Sequence, residues 1–189
     1  MKSPFYFIVK PMNGKRYDNT KDIGVTDFIV STSEEDHKFS NRYADVIELP
    51  IGYSGPISIG DTLLVHHNAF KYYNDMRGRQ KSGKSFFKDD LFFIDIDQFF
   101  MYKKGSTWNA YDKYCFVRPI SATEYYIEKF CAEEPLMGQM VYPNEYLLGK
   151  GIKEGDYVCF SPDSEYELSL IHISEPTRQA EISYAVFCL

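Results

Sequence analysis

Ile57-Ser58-Ile59-Gly60-Asp61-Thr62-Leu63-Leu64-Val65 returns near the end of the chain as Ile152-Lys153-Glu154-Gly155-Asp156-Tyr157-Val158-Cys159-Phe160. In each copy Gly-Asp supplies a tight turn, because glycine accepts backbone angles that other residues avoid and aspartate hydrogen-bonds its own turn. The run after it is β-branched, apolar or aromatic, which suits a half-buried strand. Further out, Tyr6-Phe7-Ile8-Val9-Lys10-Pro11-Met12 aligns with Tyr114-Cys115-Phe116-Val117-Arg118-Pro119-Ile120 as aromatic, apolar, apolar, Val, basic, Pro, apolar. Gly138-Gln139-Met140-Val141 likewise matches Ala44-Asp45-Val46-Ile47. Three motif pairs in one order predict a duplicated small β domain.

Composition agrees with a strand-rich fold. The 189 residues suffice for one large or two small domains, and Tyr 16 with Phe 15 against a single Trp favours sheet. The net charge of -6 argues against nucleic acid or an anionic membrane as the main partner. No apolar run approaches membrane-spanning length, and Met1-Lys2-Ser3-Pro4-Phe5 lacks the apolar core of a secretory signal. Cys115, Cys131, Cys159 and Cys188 form no Cys-x-x-Cys pair, so reduced thiols, a cytoplasmic location and no metal are expected.

The last stretch stands apart. Leu168-Ser169-Leu170-Ile171-His172-Ile173-Ser174-Glu175-Pro176-Thr177-Arg178 and Ile182-Ser183-Tyr184-Ala185-Val186-Phe187-Cys188-Leu189 resemble, in order and frame, the translation of a transposase-type sequencing-library adapter. Residues 168–189 are therefore expected to be adapter-derived, and His172 and Cys188 leave every site argument. The tail holds Glu175 and Glu181 against Arg178, so the remainder stays acidic.

The first apolar run ends in Lys10-Pro11, and proline cannot donate to a sheet ladder, so an edge or terminating strand is expected. Between Met12 and Tyr43 the chain is polar apart from Phe28-Ile29-Val30. A connection of that length is commonly functional. The apolar cluster reads either as a short strand or plug, or as the hydrophobic anchor of a mobile arm (about residues 13–42) that meets a partner. Residues 42–50 then alternate as a half-buried strand. In the second half, residues 121–137 replace the arm and are shorter. Tyr125-Tyr126-Ile127-Glu128-Lys129-Phe130 fits a helical turn or a vestigial anchor.

Gly78-Arg79-Gln80-Lys81-Ser82-Gly83-Lys84-Ser85 satisfies the phosphate-binding pattern G-x-x-x-x-G-K-[ST]. In a true P-loop, backbone N–H groups around Gly78 and Gly83 cradle phosphates, Lys84 reaches the outer ones and Ser85 holds Mg²⁺. The surroundings disagree. Residues 71–77 are too polar for the buried strand that must precede the loop, and residues 86–90 are too few for a crossover, which takes roughly a dozen. A solvated hairpin tip is expected, with nucleotide binding as the alternative. His66-His67 sit on a predicted strand and so should point to opposite faces, which suits neither a metal nor a dyad. Asp95 and Asp97 share a face and could bind a cation, but a solvated strand face or turn cap is expected.

In order, these features resemble the GroES-like co-chaperonins, the 10-kDa chaperonin family. They are the Val-basic-Pro strand at residues 7–11, a long arm with the triplet Phe28-Ile29-Val30, a strand opening on Ala44, the Gly60-Asp61 turn with its strand, a hairpin within residues 66–90, and an acidic turn and strand at residues 93–100. The resemblance covers most of residues 5–102 and, incompletely, residues 114–166. It implies an all-β fold of two tandem GroES-like small β-barrels, at residues 1–104 and 105–167, the second truncated. It also implies a non-enzymatic lid without cofactors, forming a homo-oligomeric ring on a GroEL-like chaperonin that assists protein folding. By this match the anchor falls on Phe28, Ile29 and Val30. The family's usual triplet is aliphatic, so Phe28 is a departure. A duplicated β-barrel interaction or assembly module, for example a viral structural protein, is the other class of function expected.

Overall fold

The structure, a computed structural model, describes residues 2–17, 20–23, 26–29, 40–121, 133–161, 165–167 and 185–188. The chain divides into two compact units, Met1–Thr107 and Trp108–Leu189. Nearly all regular structure is strand, and the fold is all-β.

The strands of the first part are β1 (Phe7–Pro11), β2 (Thr20–Ile23), β3 (Thr26–Ile29), β4 (Tyr43–Glu48), β5 (Thr62–Val65), β6 (Tyr72–Asn74), β7 (Gln80–Ser82), β8 (Phe86–Lys88), β9 (Leu91–Ile94), β10 (Phe99–Lys104) and β11 (Thr107–Ala110). They form a seven-stranded sheet of order β11-β10-β5-β4-β1-β9-β8, with β2-β3 and β6-β7 as separate two-stranded hairpins. β1 lies inside the sheet between β4 and β9, not at an edge. Pro11 is its last residue, so the missing N–H interrupts nothing. In β4 the exposed Tyr43 alternates with buried Ala44, and Val46 is buried beyond Asp45, as a one-sided strand requires. The core is aromatic. Phe7 meets Phe99 edge-on at 5.3 Å and Phe70 meets Phe92 at 4.8 Å, with Val9, Val46, Leu63, Val65 and Ile94 buried around them.

The second unit contains β12 (Tyr114–Ser121), β13 (Glu133–Tyr142), a short helix α1 (Glu145–Gly149), β14 (Tyr157–Cys159), β15 (Glu165–Glu167) and β16 (Ala185–Cys188). Its sheet has the order β14-β13-β12-β16-β15. The core here is smaller. Cys115, Val117 and Met140 are buried, with Leu147, Ile152, Val158 and Phe160 packed on them. α1 begins where the buried Asn144 accepts a 2.9 Å hydrogen bond from the Leu147 amide through Oδ1.

The matched motifs fold alike. Val9, Lys10 and Pro11 oppose Val46, Asp45 and Ala44, while Val117, Arg118 and Pro119 oppose Met140, Gln139 and Gly138. The register shifts at the same place in each, between Ile8 and Val9 and between Phe116 and Val117. At the turns, Gly60 donates to the Val46 carbonyl at 2.9 Å and Gly155 to the Met140 carbonyl at 2.8 Å. Gly60 has φ +90° and Gly155 φ +91°, the left-handed region that demands glycine. Asp61 Oδ2 accepts from the Ser58 amide, and Asp156 Oδ2 from that of Lys153, each at 2.8 Å.

Two features differ from expectation. The end strands of each sheet are not paired with one another, so among the described residues both sheets are open and no barrel closes. The free side of β12 is taken by β16 in parallel, whereas β1 receives β9 antiparallel. No helix among the described residues is long and apolar enough to cross a membrane.

Candidate functional site

The polar connection between β1 and β4 leaves the body at a buried joint. Tyr17 and Ser40 form a β-bridge, and the Asn41 amide donates to the Arg16 carbonyl at 2.9 Å. Asn41 Nδ2 donates to the carbonyls of Met12 (3.0 Å) and Lys15 (2.7 Å), while its Oδ1 accepts from the Tyr43 amide at 2.9 Å. The Ser40 hydroxyl donates to the His67 carbonyl. Tyr17, Ser40 and Asn41 are all buried. A buried amide whose donors and acceptor are all used fixes its neighbours, because loosening them would strand polar atoms away from water.

Between these ends, β2 and β3 pair as a hairpin, with Thr20 opposite Ile29, Lys21 opposite Phe28 and Asp22 opposite Asp27. Phe28 and Ile29 are thus consecutive residues of β3. Val30 lies outside the described residues, as do Tyr125 to Phe130 of the second half.

The same joint supports the basic hairpin. Tyr72 opposes Ser82, Tyr73 opposes Lys81 and Asn74 opposes Gln80. The Tyr72 and Ser82 face is seated on the body. The Tyr72 ring stacks on Tyr17 at 6.0 Å, and the Tyr72 amide donates to the Tyr17 hydroxyl at 2.8 Å. Arg16 Nη1 donates to Ser82 Oγ at 2.9 Å, and its guanidinium lies 4.2, 4.7 and 5.1 Å from the ring centres of Tyr72, Phe92 and Phe86. A cation faced by three rings and tied to a hydroxyl has few other places to go.

The hairpin tip is organised by Asp75. Its Oδ1 accepts from the amides of Arg77 (2.8 Å) and Arg79 (2.9 Å), and its Oδ2 lies 3.4 Å from Lys81 Nζ. The Arg79 amide bond, aided by those from Arg77 and Lys81, holds the Asp75 carboxyl below its ordinary range. Just before β4, the buried Arg42 has its pKa pushed down by desolvation.

This hairpin is where the phosphate-binding pattern falls. Gly78 (φ +70°) is in the turn, residues 80–82 are strand, and Gly83, Lys84 and Ser85 connect to β8. The Gly83 amide donates to the Lys71 carbonyl at 3.1 Å, and the Ser85 carbonyl accepts from Phe93 at 2.7 Å. These groups are committed to the sheet instead of being gathered round an anion, and strand follows in place of helix. The arrangement is a β-hairpin, not a strand-loop-helix cradle.

The histidines differ from expectation. β5 ends at Val65, the His66 amide donates to the Gln98 carbonyl, and the backbone turns, since Ala69 donates to the His66 carbonyl. The rings of His66 and His67 therefore lie 4.1 Å apart instead of on opposite faces. Asp95 is a turn cap. Its side chain accepts from the Ile96 amide at 2.7 Å, and Gln98 Oε1 accepts from the Asp95 amide at 3.0 Å. Among the described residues, no group of three His, Cys, Asp or Glu is placed to hold a metal ion.

Sequence reasoning missed Arg16 and Asn41. Their partners lie 66 and 26 to 29 residues away, and no local pattern encodes such a contact. Comparison with protein-family models, curated proteins and solved structures finds no match to this chain.

Proposed function

We propose that this chain is a non-enzymatic co-chaperonin, a lid that binds a GroEL-like chaperonin ring through the arm bearing Phe28, Ile29 and Val30. The observation that carries the reading is the buried joint of Arg16, Tyr17, Ser40 and Asn41, which fixes both ends of a polar connection containing one apolar triplet. A segment anchored at both ends restricts the ordering cost of binding to itself, which suits modest, reversible affinity. Assembly of several copies into a homo-oligomeric ring multiplies that affinity. The shared register and turn geometry of the two halves support a duplicated, tandem design. Replacing Phe28, Ile29 and Val30 with Ser abolishes binding to a GroEL-type ring in the presence of nucleotide; undiminished binding removes the anchor assignment.

The open sheets favour one other reading, a duplicated β module used for interaction or assembly, for example in a viral particle. Rescue of a co-chaperonin defect in cells decides between them.

A further inference from the structure

We infer that the outward face and tip of the β6-β7 hairpin form a second binding surface, one that takes a short acidic polypeptide segment. The register that seats Tyr72 and Ser82 on the body puts Tyr73 and Lys81 on the opposite face, and the period of two adds Arg79. Tyr73 is 50% exposed and Met76, at the tip, fully so. Arg77, Arg79 and Lys84 are exposed as well. Residues 76–85 contain Arg77, Arg79, Lys81 and Lys84 and no acid, in a chain whose net charge is -6. Among the described residues only Lys81 of these four is engaged in an ion pair, with Asp75.

The feature is a rigid mount and not a loose tail. Arg16 and Tyr17 hold the inner face, while Asp75 accepts from the two arginine amides and so fixes the turn that displays their side chains. Cations displayed on the same hairpin as an exposed aromatic ring and a flexible thioether suit a partner with carboxylates interspersed with apolar groups. The remainder of the chain decides against an extended polyanion. The hairpin strands are three residues each, about 10 Å of reach, which is close to one Debye length at physiological salt. A nucleic acid or anionic bilayer lying on the tip would therefore sense the acidic body, whereas a short acidic segment touches the hairpin alone. This surface is made of residues other than those of the proposed chaperonin-binding arm, although both are held at Arg16.

The test is fluorescence anisotropy of a labelled Glu/Leu-rich peptide titrated with the full chain. Poly-dT and phosphatidylserine vesicles serve as competing probes. Saturable peptide binding is expected, weakening as salt rises and falling at least about tenfold in R77E/R79E. Both side chains are exposed, and an unchanged circular-dichroism melt certifies the fold of the variant. An R77A/R79A variant with a smaller loss supports a charge-based contact. Peptide binding that is absent, or equal in wild type and R77E/R79E, overturns the proposal, as does tighter binding of poly-dT or vesicles than of peptide.

Discussion

Arg16 and Ser82, far apart in sequence, are joined by a 2.9 Å hydrogen bond that fastens the basic hairpin to the segment after β1 from which the arm departs. The Asn41 amide closes on the Arg16 carbonyl at the same point, so one residue serves both excursions of the first unit. Arg16→Ala removes a charged hydrogen bond and three ring contacts and is expected to cost about 2 kcal/mol. Urea titration measures it, and limited proteolysis should show faster cleavage within residues 72–82. Arg16→Lys should recover little, since an ammonium cannot stack flat against the rings.

Asn41→Ala removes a buried side chain whose amide donates to the carbonyls of Met12 and Lys15 and accepts from Tyr43. The expected loss is about 2–3 kcal/mol. It should be accompanied by earlier hydrogen exchange at the Tyr43 amide, which Asn41 Oδ1 accepts from.

The two Gly-Asp turns make a matched pair of predictions. A Cβ at Gly60 or Gly155 meets no atom within 4 Å, so alanine at either is opposed by backbone conformation alone. Each substitution should cost about 1–2 kcal/mol. Gly138 is different. A Cβ there would stand 2.9 Å from Val117 Cβ, although Ala44 holds the corresponding position against Pro11 in the first unit. Gly138→Ala is expected to destabilise the second unit by about 1–3 kcal/mol through overpacking, read from the melting of that unit.

Asp75 predicts the acid behaviour of the hairpin tip. Its folded pKa is lowered, chiefly by the Arg79 amide bond, so the unfolded tip binds the proton more readily. Its contribution is complete above the unfolded value of about 3.9 and is lost as pH falls through the lower folded value. The protection of the Arg77 and Arg79 amides, measured relative to their intrinsic exchange rates, should therefore fall once pH drops below about 4, and Asp75→Asn should remove that pH dependence.

Much of the scaffold was legible because it is local. Gly-Asp turns, the Val-basic-Pro strand and the alternation from Tyr43 to Val46 all encode themselves within a few residues, and the turn cap at Asp95 does the same. The polar residues 71–77 read as unsuited to a buried strand, yet they contain the short, largely exposed strand β6. What was not legible is non-local or short. The contact of His66 with His67 follows from β5 ending at Val65, before either histidine, although both were expected on the strand. α1 is five residues long, too short to show a helical period. The aromatic surroundings of Arg16 come from β6, β8 and β9, which only the fold brings together.

Co-sedimentation of the full chain with a GroEL-type ring, with and without nucleotide, tests the central claim most directly. The expected result is nucleotide-dependent association that disappears when Phe28, Ile29 and Val30 are replaced by Ser and persists in Lys84→Ala. No association of the wild-type chain, or equal association of the triple-Ser variant, would contradict it.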